Sequence, residues 1–477
     1  MENEKLQYGD IVELTIQSTG FEGKSVARLN GLVIFVEGAV EGDVVRAKIL
    51  KTKKKHAEAK VVEVISPSPK RTTPRCKYFG TCGGCKWQHV DYNIQLHFKQ
   101  QHVIDAIERI GGMKDVPILP IIGSEDIYFY RNKLEFSFSE KAWEMTPPPS
   151  PPLNKGRGDR GGVALGFHVP QRWDKVLNVD ECFLQSELSN SILNAVREFA
   201  IENNIPAYSQ DSQSGYFRNL VIREGKNTGN VMVNVVTFED TPEIMSRLSS
   251  QLVKEFPEIT TVVNNINTRR SQVAVGDFEK VYYGGGIIHD KIGTKLFQIS
   301  ANSFFQTNTK QAEKLYSIAK EIAELKPTDV VYDLYCGTGS IAIYISDSVK
   351  EVIGIELVES SIVNARMNAQ LNAIKNCEFI AGDLKDLLTK DVGWKEKFSR
   401  PDVIIVDPPR SGMHPQAVEE LGKMQVPAIV YVSCNPATLA RDLQMLTTFG
   451  YSVEKVQPVD MFPHTYHIEC VAKVTLR

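Results

Sequence analysis

The chain has 477 residues, 42% hydrophobic and 24% charged, which places it among soluble globular proteins and makes it too long for one ordinary core. About three domains is the prior for such a length. A net charge of -3 excludes a uniformly basic nucleic-acid binder, and no apolar run approaches the roughly 20 residues that span a bilayer. The start, Met1-Glu2-Asn3-Glu4-Lys5, has no basic region leading into an apolar stretch. A cytoplasmic protein without a membrane partner is expected. Its eight cysteines should then be reduced, bound to metal or catalytic.

Residues 1–66 read as short alternating strands at 11–16, 31–36, 43–49 and 59–64, separated by turn residues such as Gly20, Gly23, Asn30-Gly31, Gly38 and Gly42. Evenly spaced short strands predict a small β-barrel. Between Arg46 and Lys86 there are twelve Lys or Arg against two acids, Glu58 and Glu63. That local excess suits a phosphate-backbone binder, and a solvated loop is an equal reading for the Lys51 to Lys55 run taken alone. The stretch resembles a TRAM domain, an RNA-binding barrel related in shape to the OB-fold.

Ser66-Pro67-Ser68-Pro69 reads as a linker. Cys76, Cys82 and Cys85 follow it with Cys-x5-Cys-x2-Cys spacing, and Cys182 is the natural fourth thiolate of a closed shell. Spacing alone does not choose between zinc and an iron-sulfur cluster. A helix is predicted over 92–110, ending at Gly111-Gly112, and strands over 130–138 and 163–168. Between those strands, Met145 to Gly162 is rich in Pro and Gly and reads as a disordered insertion in a hairpin. From Ser186 to about Gly284 helical and strand patterns alternate; Arg218 and Arg223 could touch phosphate, but taken singly each reads better as a solvated residue of a strand edge. Ser303-Phe304-Phe305-Gln306-Thr307-Asn308 then precedes a predicted helix over 309–325.

The last third repeats one local pattern, an apolar strand ending in a polar residue. Val330 to Leu334 runs into Tyr335-Cys336-Gly337-Thr338-Gly339-Ser340, a glycine turn that lets the backbone approach a ligand. Val352 to Glu356 ends in an acid placed for ribose hydroxyls, and Cys377 to Asp383 ends likewise. Val403 to Val406 stops at Asp407-Pro408-Pro409-Arg410, and Val430 to Ser433 at Cys434-Asn435-Pro436. A nicotinamide fingerprint would show three glycines, and a nucleotide-phosphate loop a lysine; with neither present, a nucleoside cofactor such as S-adenosylmethionine fits best. Cys434 at a strand's carboxyl end faces a substrate rather than the core, although a lone cysteine is more often an inert buried one.

Taken together, Cys434, Asp407, the Cys-x5-Cys-x2-Cys set and Phe304-Phe305-Gln306-Thr307-Asn308 resemble the RNA uracil-5-methyltransferase family. They are most similar to the branch that acts on 23S ribosomal RNA and carries a TRAM domain and a [4Fe-4S] cluster. The resemblance implies an α/β fold: a Rossmann-like class I methyltransferase domain at 285–477, an N-terminal TRAM barrel at 1–66 and a central α+β iron-sulfur and RNA-binding domain at 67–284. It implies that Cys76, Cys82, Cys85 and Cys182 hold the cluster. Gln306, Tyr335, Ser340, Glu356, Asp383 and Asp407 would line the S-adenosylmethionine pocket and its border with the target base. Family members usually carry Asn or a similar polar residue where Ser340 stands. Cys434 would be the nucleophile, Glu469 the general base, and Asp407 a stabiliser of nearby charge.

The implied chemistry is covalent: a thiolate adds to carbon 6 of uracil, carbon 5 takes the methyl group, and a base removes the carbon 5 proton. The target would be an unpaired or flipped uridine, and the enzyme a monomer engaged in ribosomal RNA processing. Transfer RNA as substrate, or a non-catalytic RNA-binding assembly factor, are the alternatives. A nitrogen methyltransferase would carry an aromatic residue after Asp407-Pro408-Pro409, where Arg410 stands.

Overall fold

The computed structural model describes residues 6–145, 163–170, 172–270, 274–384 and 398–477. The expected insertion after Met145 therefore lies outside the described residues.

The first layer is a six-stranded sheet in the order β1-β5-β6-β4-β3-β2. Its strands are β1 (Ile11–Thr15), β2 (Ser18–Thr19), β3 (Ser25–Leu29), β4 (Leu32–Glu37), β5 (Val44–Thr52) and β6 (His56–Ser66). Alternation puts Leu14, Ile34, Val36, Val45, Ala47, Ile49, Ala57 and Ala59 in one core. β3 was not expected, because its inward residues are the small Ser25 and Ala27, which hide the alternation.

The stretch expected to be a linker is instead pinned to this sheet. Asp43 is fully buried and accepts from the Ser68 N–H at 2.8 Å, from the Val40 N–H at 2.6 Å, and from Arg71 Nε at 2.8 Å and Nη2 at 2.7 Å. A carboxylate removed from water is stable only when paired and hydrogen-bonded, and this junction supplies both.

Helix α1 (Tyr92–Asp105) follows, capped by the Asp91 side chain, and winds on through Ala106–Ile110 to Gly111. The second sheet has eight strands in the order β14-β13-β12-β11-β7-β9-β10-β8. They are β7 (Lys133–Ser139), β8 (Ala142–Trp143), β9 (Ala164–Val169), β10 (Arg172–Asn178), β11 (Phe217–Glu224), β12 (Val231–Thr237), β13 (Ile259–Ile266) and β14 (Phe278–Tyr283). Helices α2 (Glu187–Glu202) and α3 (Pro242–Glu255) bury Ile192, Val196, Phe199, Met245, Leu248 and Leu252 against it. Arg218 and Arg223, expected in solvent, are buried because β11 is central. Their guanidinium groups donate to the carbonyls of Asn267 and Arg269 and of Ala301 and Ser303.

A hairpin of β15 (Ile287–Ile292) and β16 (Lys295–Ser300) leads into α4 (Thr309–Ala323), capped by Asn308. The third sheet runs β19-β18-β17-β20-β21-β23-β22. Its strands are β17 (Val330–Leu334), β18 (Glu351–Glu356), β19 (Cys377–Ala381), β20 (Val403–Val406), β21 (Ala428–Ser433), β22 (Tyr451–Val459) and β23 (Glu469–Leu476). β17 to β21 are parallel; β23 is antiparallel to β21 and β22.

Helices cover both faces, as right-handed crossovers require. One core joins α4, α5 (Ser340–Ile345) and α6 (Glu359–Leu371) to Val331, Val352, Ile405 and Val430. The other joins α7 (Pro415–Lys423), α8 (Pro436–Thr447) and the Val103 to Ile107 stretch to Tyr332, Ile353, Ile404 and Tyr431. The helix that begins at Tyr92 thus packs on the third sheet, although it precedes the second in the chain.

Candidate active site

Strand order places the polar strand ends side by side. β17 lies where the sheet reverses direction of growth, the position at which open α/β sheets bind ligands outside their carboxyl ends. Running along that edge come Asp383 after β19, Glu356 at the end of β18, Tyr335 after β17, Asp407 after β20 and Cys434 after β21. β23 runs the other way, so its first residue, Glu469, falls on the same edge. Ser433 pairs with Cys470, and one further step of that register sets Cys434 opposite Glu469.

The glycine turn divides its labour. A Cβ on Gly339 would strike Phe379 at 2.9 Å, so this glycine serves packing. One on Gly337 would meet nothing within 4 Å, although its φ of +54° is left-handed; here the backbone borders open space. The Gly337 N–H donates to Glu356 Oε2 at 3.1 Å, and Glu356 Oε1 accepts from Val358 N–H at 3.0 Å. The buried Asp333 accepts from Ala342 N–H at 3.0 Å and leaves Oδ1 without a partner. Gln306 lies in the loop ahead of α4, which is tied down where Asn132 Nδ2 donates to its carbonyl at 2.7 Å.

Burial dominates the electrostatics. It lifts the Asp407 carboxyl to about 7 and, with Asp407 and Glu356 nearby, Asp333 to about 8. It drives Glu469, only 6% exposed, well above the usual carboxylate range, with Asp407 adding to the rise and Arg410 opposing it. The Cys434 thiol is pushed up to about 11 by burial, then by Glu469 and Asp407, against the pull of Arg410. Groups that disfavour one another's negative charge in this way form a pocket suited to a cation.

Two contributors were not singled out from the sequence. Tyr316 of α4 is buried at 1% exposure, exchanges a 2.9 Å hydrogen bond with Ser340 Oγ, and lies near Asp407, Asp333 and Glu469. Its place in an apolar helical stripe made it look like core. Arg410 had been weighed only for what it is not; its carbonyl accepts from Asn435 Nδ2 at 3.1 Å, tying the Asp407 turn to the Cys434 turn.

Cys76, Cys82, Cys85 and Cys182 line one cavity of about 140 Å³ away from this edge. Gly84 N–H lies 3.4 Å from Cys82 Sγ and Gln88 Nε2 lies 3.2 Å from Cys85 Sγ, both as donors. Burial raises all four thiols, Cys85 and Cys182 to about 12. Among the described residues, no three His, Cys, Asp or Glu are gathered as one metal ion requires.

Known proteins resemble the chain along nearly its whole length. Residues 287–476 match the family model for tRNA (uracil-5-)-methyltransferase, and residues 5–62 that for the TRAM domain. An RNA methyltransferase of Chlorobaculum tepidum, itself uncharacterized, is 42% identical over 99% of this chain and 98% of its own length. One from Bacteroides thetaiotaomicron is 44% identical over 96% of this chain and 99% of its own. Among solved structures, the tRNA (uracil-54, C5)-methyltransferase of Pyrococcus abyssi in complex with S-adenosyl-L-homocysteine covers 97% of this chain and 99% of that one. Its TM-score is 0.73 at 29% identity. By sheet order, strand-end chemistry and near full-length likeness, the chain belongs to the RNA uracil-5-methyltransferase family and carries a TRAM domain at its amino end.

Proposed function

We propose that the protein methylates carbon 5 of a uridine in 23S ribosomal RNA with S-adenosylmethionine, through a transient bond from Cys434 to carbon 6 of the ring. The observation that carries this reading is the convergence of Cys434, Asp407 and Glu469 at three neighbouring strand ends.

The cofactor supplies an electrophilic methyl group on a positively charged sulfur. The open side of Gly337, the acids Glu356 and Asp383, and the unpartnered Asp333 oxygen support its seat on the β17 to β19 side, with Gln306, Tyr335 and Ser340 bordering it. Its positive charge favours the ionised forms of Cys434, Asp407 and Glu469, which burial disfavours. The Cys434 thiolate then adds to carbon 6, making an enolate whose carbon 5 takes the methyl group as the methyl-to-sulfur bond breaks and S-adenosylhomocysteine leaves. Glu469 as carboxylate takes the carbon 5 proton, the enolate collapses, and the carbon 6 to sulfur bond breaks to return the thiolate. Asp407, between the two halves, stabilises charge beside the ring. A base inside a stack cannot reach a strand-end pocket, so the uridine is unpaired or flipped.

The four cysteines line one cavity and would supply the thiolates of a [4Fe-4S] cluster, which the family resemblance favours over zinc. Donors aimed at two of the sulfurs suit thiolates. Because this methyl transfer moves no net electron, the cluster is structural in this reading. Removing iron is expected to lower the melting temperature and RNA affinity, while a rate that follows the redox state of intact enzyme would count against it. We further assign the enzyme to the cytoplasm as a monomer, where reducing conditions keep its thiols free.

Trapping on RNA containing 5-fluorouridine tests the mechanism. The fluorine cannot leave as a proton, so a stable adduct through Cys434 is expected, absent from Cys434→Ala; turnover without any adduct would sink the reading. Mapping 5-methyluridine in both RNA classes of a deletion strain tests the substrate. The TRAM and cysteine combination favours ribosomal RNA, and the likeness to the Pyrococcus abyssi tRNA enzyme favours the second reading, a tRNA uridine.

A further inference from the structure

Helix α1 carries a lysine into the hairpin that presents Glu469. Lys99 and Asp460 are both fully buried, with Nζ 2.6 Å from Oδ1, and Lys99 also donates to the Phe462 carbonyl at 3.1 Å. The same carboxylate accepts from Tyr92 Oη at 2.9 Å and from Phe462 N–H at 3.0 Å. One turn along the helix, Gln95 accepts from His464 N–H at 2.9 Å and lies 3.2 Å from His464 Nδ1.

Asp460 follows Val459, which pairs directly with Glu469 across the β22–β23 hairpin. The strand register places the Glu469 backbone, and the loop from Asp460 to Ile468 packs directly against the end of the strand that carries it. This loop forms no helix or strand, and His464 sits in the left-handed region at φ 65°. It is held from outside: Asn308 Nδ2 donates to the Met461 carbonyl at 2.9 Å, Tyr130 Oη to that of Pro463 at 3.1 Å, and the Lys86 and Trp87 N–H groups to that of His464 at 2.8 and 3.0 Å. A buried ion pair is seldom more stabilising than packed apolar side chains of the same volume. What it offers here is a fixed geometry beside a reacting group.

We propose that Lys99 is a positioning residue for Glu469, acting through Asp460. The inference rests on the reading of Glu469 as the base. Cys434 stands at the end of β21, and the glycine turn on the far side of β17; neither depends on this loop. Loss of the clamp leaves thiolate addition and methyl transfer in place and stalls proton removal, so the methylated adduct persists.

Lys99→Met, the double variant Lys99→Met/Asp460→Leu and Glu469→Gln as reference are incubated with S-adenosylmethionine and a substrate RNA. Adduct per folded molecule is read on denaturing gels and its methylation by mass spectrometry. Adduct carrying the new methyl group is expected on both Lys99 variants as on Glu469→Gln. Turnover should fall about 10²-fold, the effect of a displacement near 1 Å, at unchanged RNA KM. Parallel loss of adduct and turnover, or turnover close to wild type, overturns the proposal. The double variant leaves no unpaired buried charge; if it too lacks a cooperative melt, Lys99 holds the fold and the inference falls. Adduct on Glu469→Gln but on neither Lys99 variant defeats the positioning role alone, whereas none on Glu469→Gln defeats the base assignment and this inference with it.

Discussion

Burial disfavours the ionised forms of Asp407, Glu469 and Cys434, which sets a cost in stability. The unfolded chain releases the Asp407 proton at its ordinary 3.8, the folded chain at about 7. Between those values the folded state holds a proton that the unfolded state has lost, so stability falls as pH rises, by up to about 1.4 kcal/mol per pH unit for each such group. Asp407 is partly exposed, and water reduces that figure. Asp407→Asn and Glu469→Gln should therefore raise the melting temperature near pH 8, with the gain vanishing near pH 4; calorimetry across pH decides, and a gain that grows on acidification would refute the assignment. For the thiol, alkylation of Cys434 should titrate at about 11 in free enzyme. It should move to lower pH with a positively charged methyl-donor analogue but not with neutral S-adenosylhomocysteine, since only the former offsets the pocket's negative charge. At this scale the sequence was informative wherever a residue ended a strand, because Cys434, Asp407 and Glu356 each interrupt an apolar run. Tyr316 interrupts nothing, and nothing local separates it from the buried tyrosines of other helices.

Elements were legible in proportion to how far their partners lay in sequence. The parallel strands β17, β18, β20 and β21 are buried on both faces and read as continuous apolar runs, so they were legible without tertiary information, whereas the antiparallel β22 and β23 were not foreseen. The segment Ser66 to Pro69 was misread because Pro and Ser announce the lack of helix and strand, which is not the lack of contacts. Its anchor, Asp43, lies 25 residues earlier. Arg218 and Arg223 failed for the same reason, since nothing near them says that β11 would be flanked by β7 and β12. The Asp43 junction can be tested as an element. Asp43→Ala strands the Arg71 guanidinium and two buried N–H groups. The expected loss is roughly 2–4 kcal/mol, below the figure for a wholly buried pair because Arg71 remains 19% exposed. Hydrogen exchange should show it as faster opening of β1 to β6 with the third sheet unchanged; equal destabilisation of both would mean the junction is not local.

At the scale of the whole molecule, a net charge of -3 conceals a division of labour between acid and base. The reacting edge gathers the acidic side chains Asp333, Glu356, Asp383, Asp407 and Glu469, a poor surface for phosphate whether ionised or protonated, so a grip on RNA is expected elsewhere. The β5–β6 turn offers that grip. Lys51, Lys53, Lys54 and Lys55 are exposed at the tip of two long strands, beyond Arg46, whose guanidinium is matched by Glu63. Phosphate contacts position without specifying sequence, and each one released lowers the slope of log affinity against log salt by about 0.7 on single strands. Replacing the four lysines by alanine should weaken binding evenly across RNA sequences, flatten that slope by up to about 3 units, and leave kcat at saturating RNA unchanged. The last point is the discriminating one. If kcat fell with affinity, the barrel would be shaping the site rather than delivering RNA to it, and the separation of an acidic reacting edge from a basic gripping surface would not describe this enzyme.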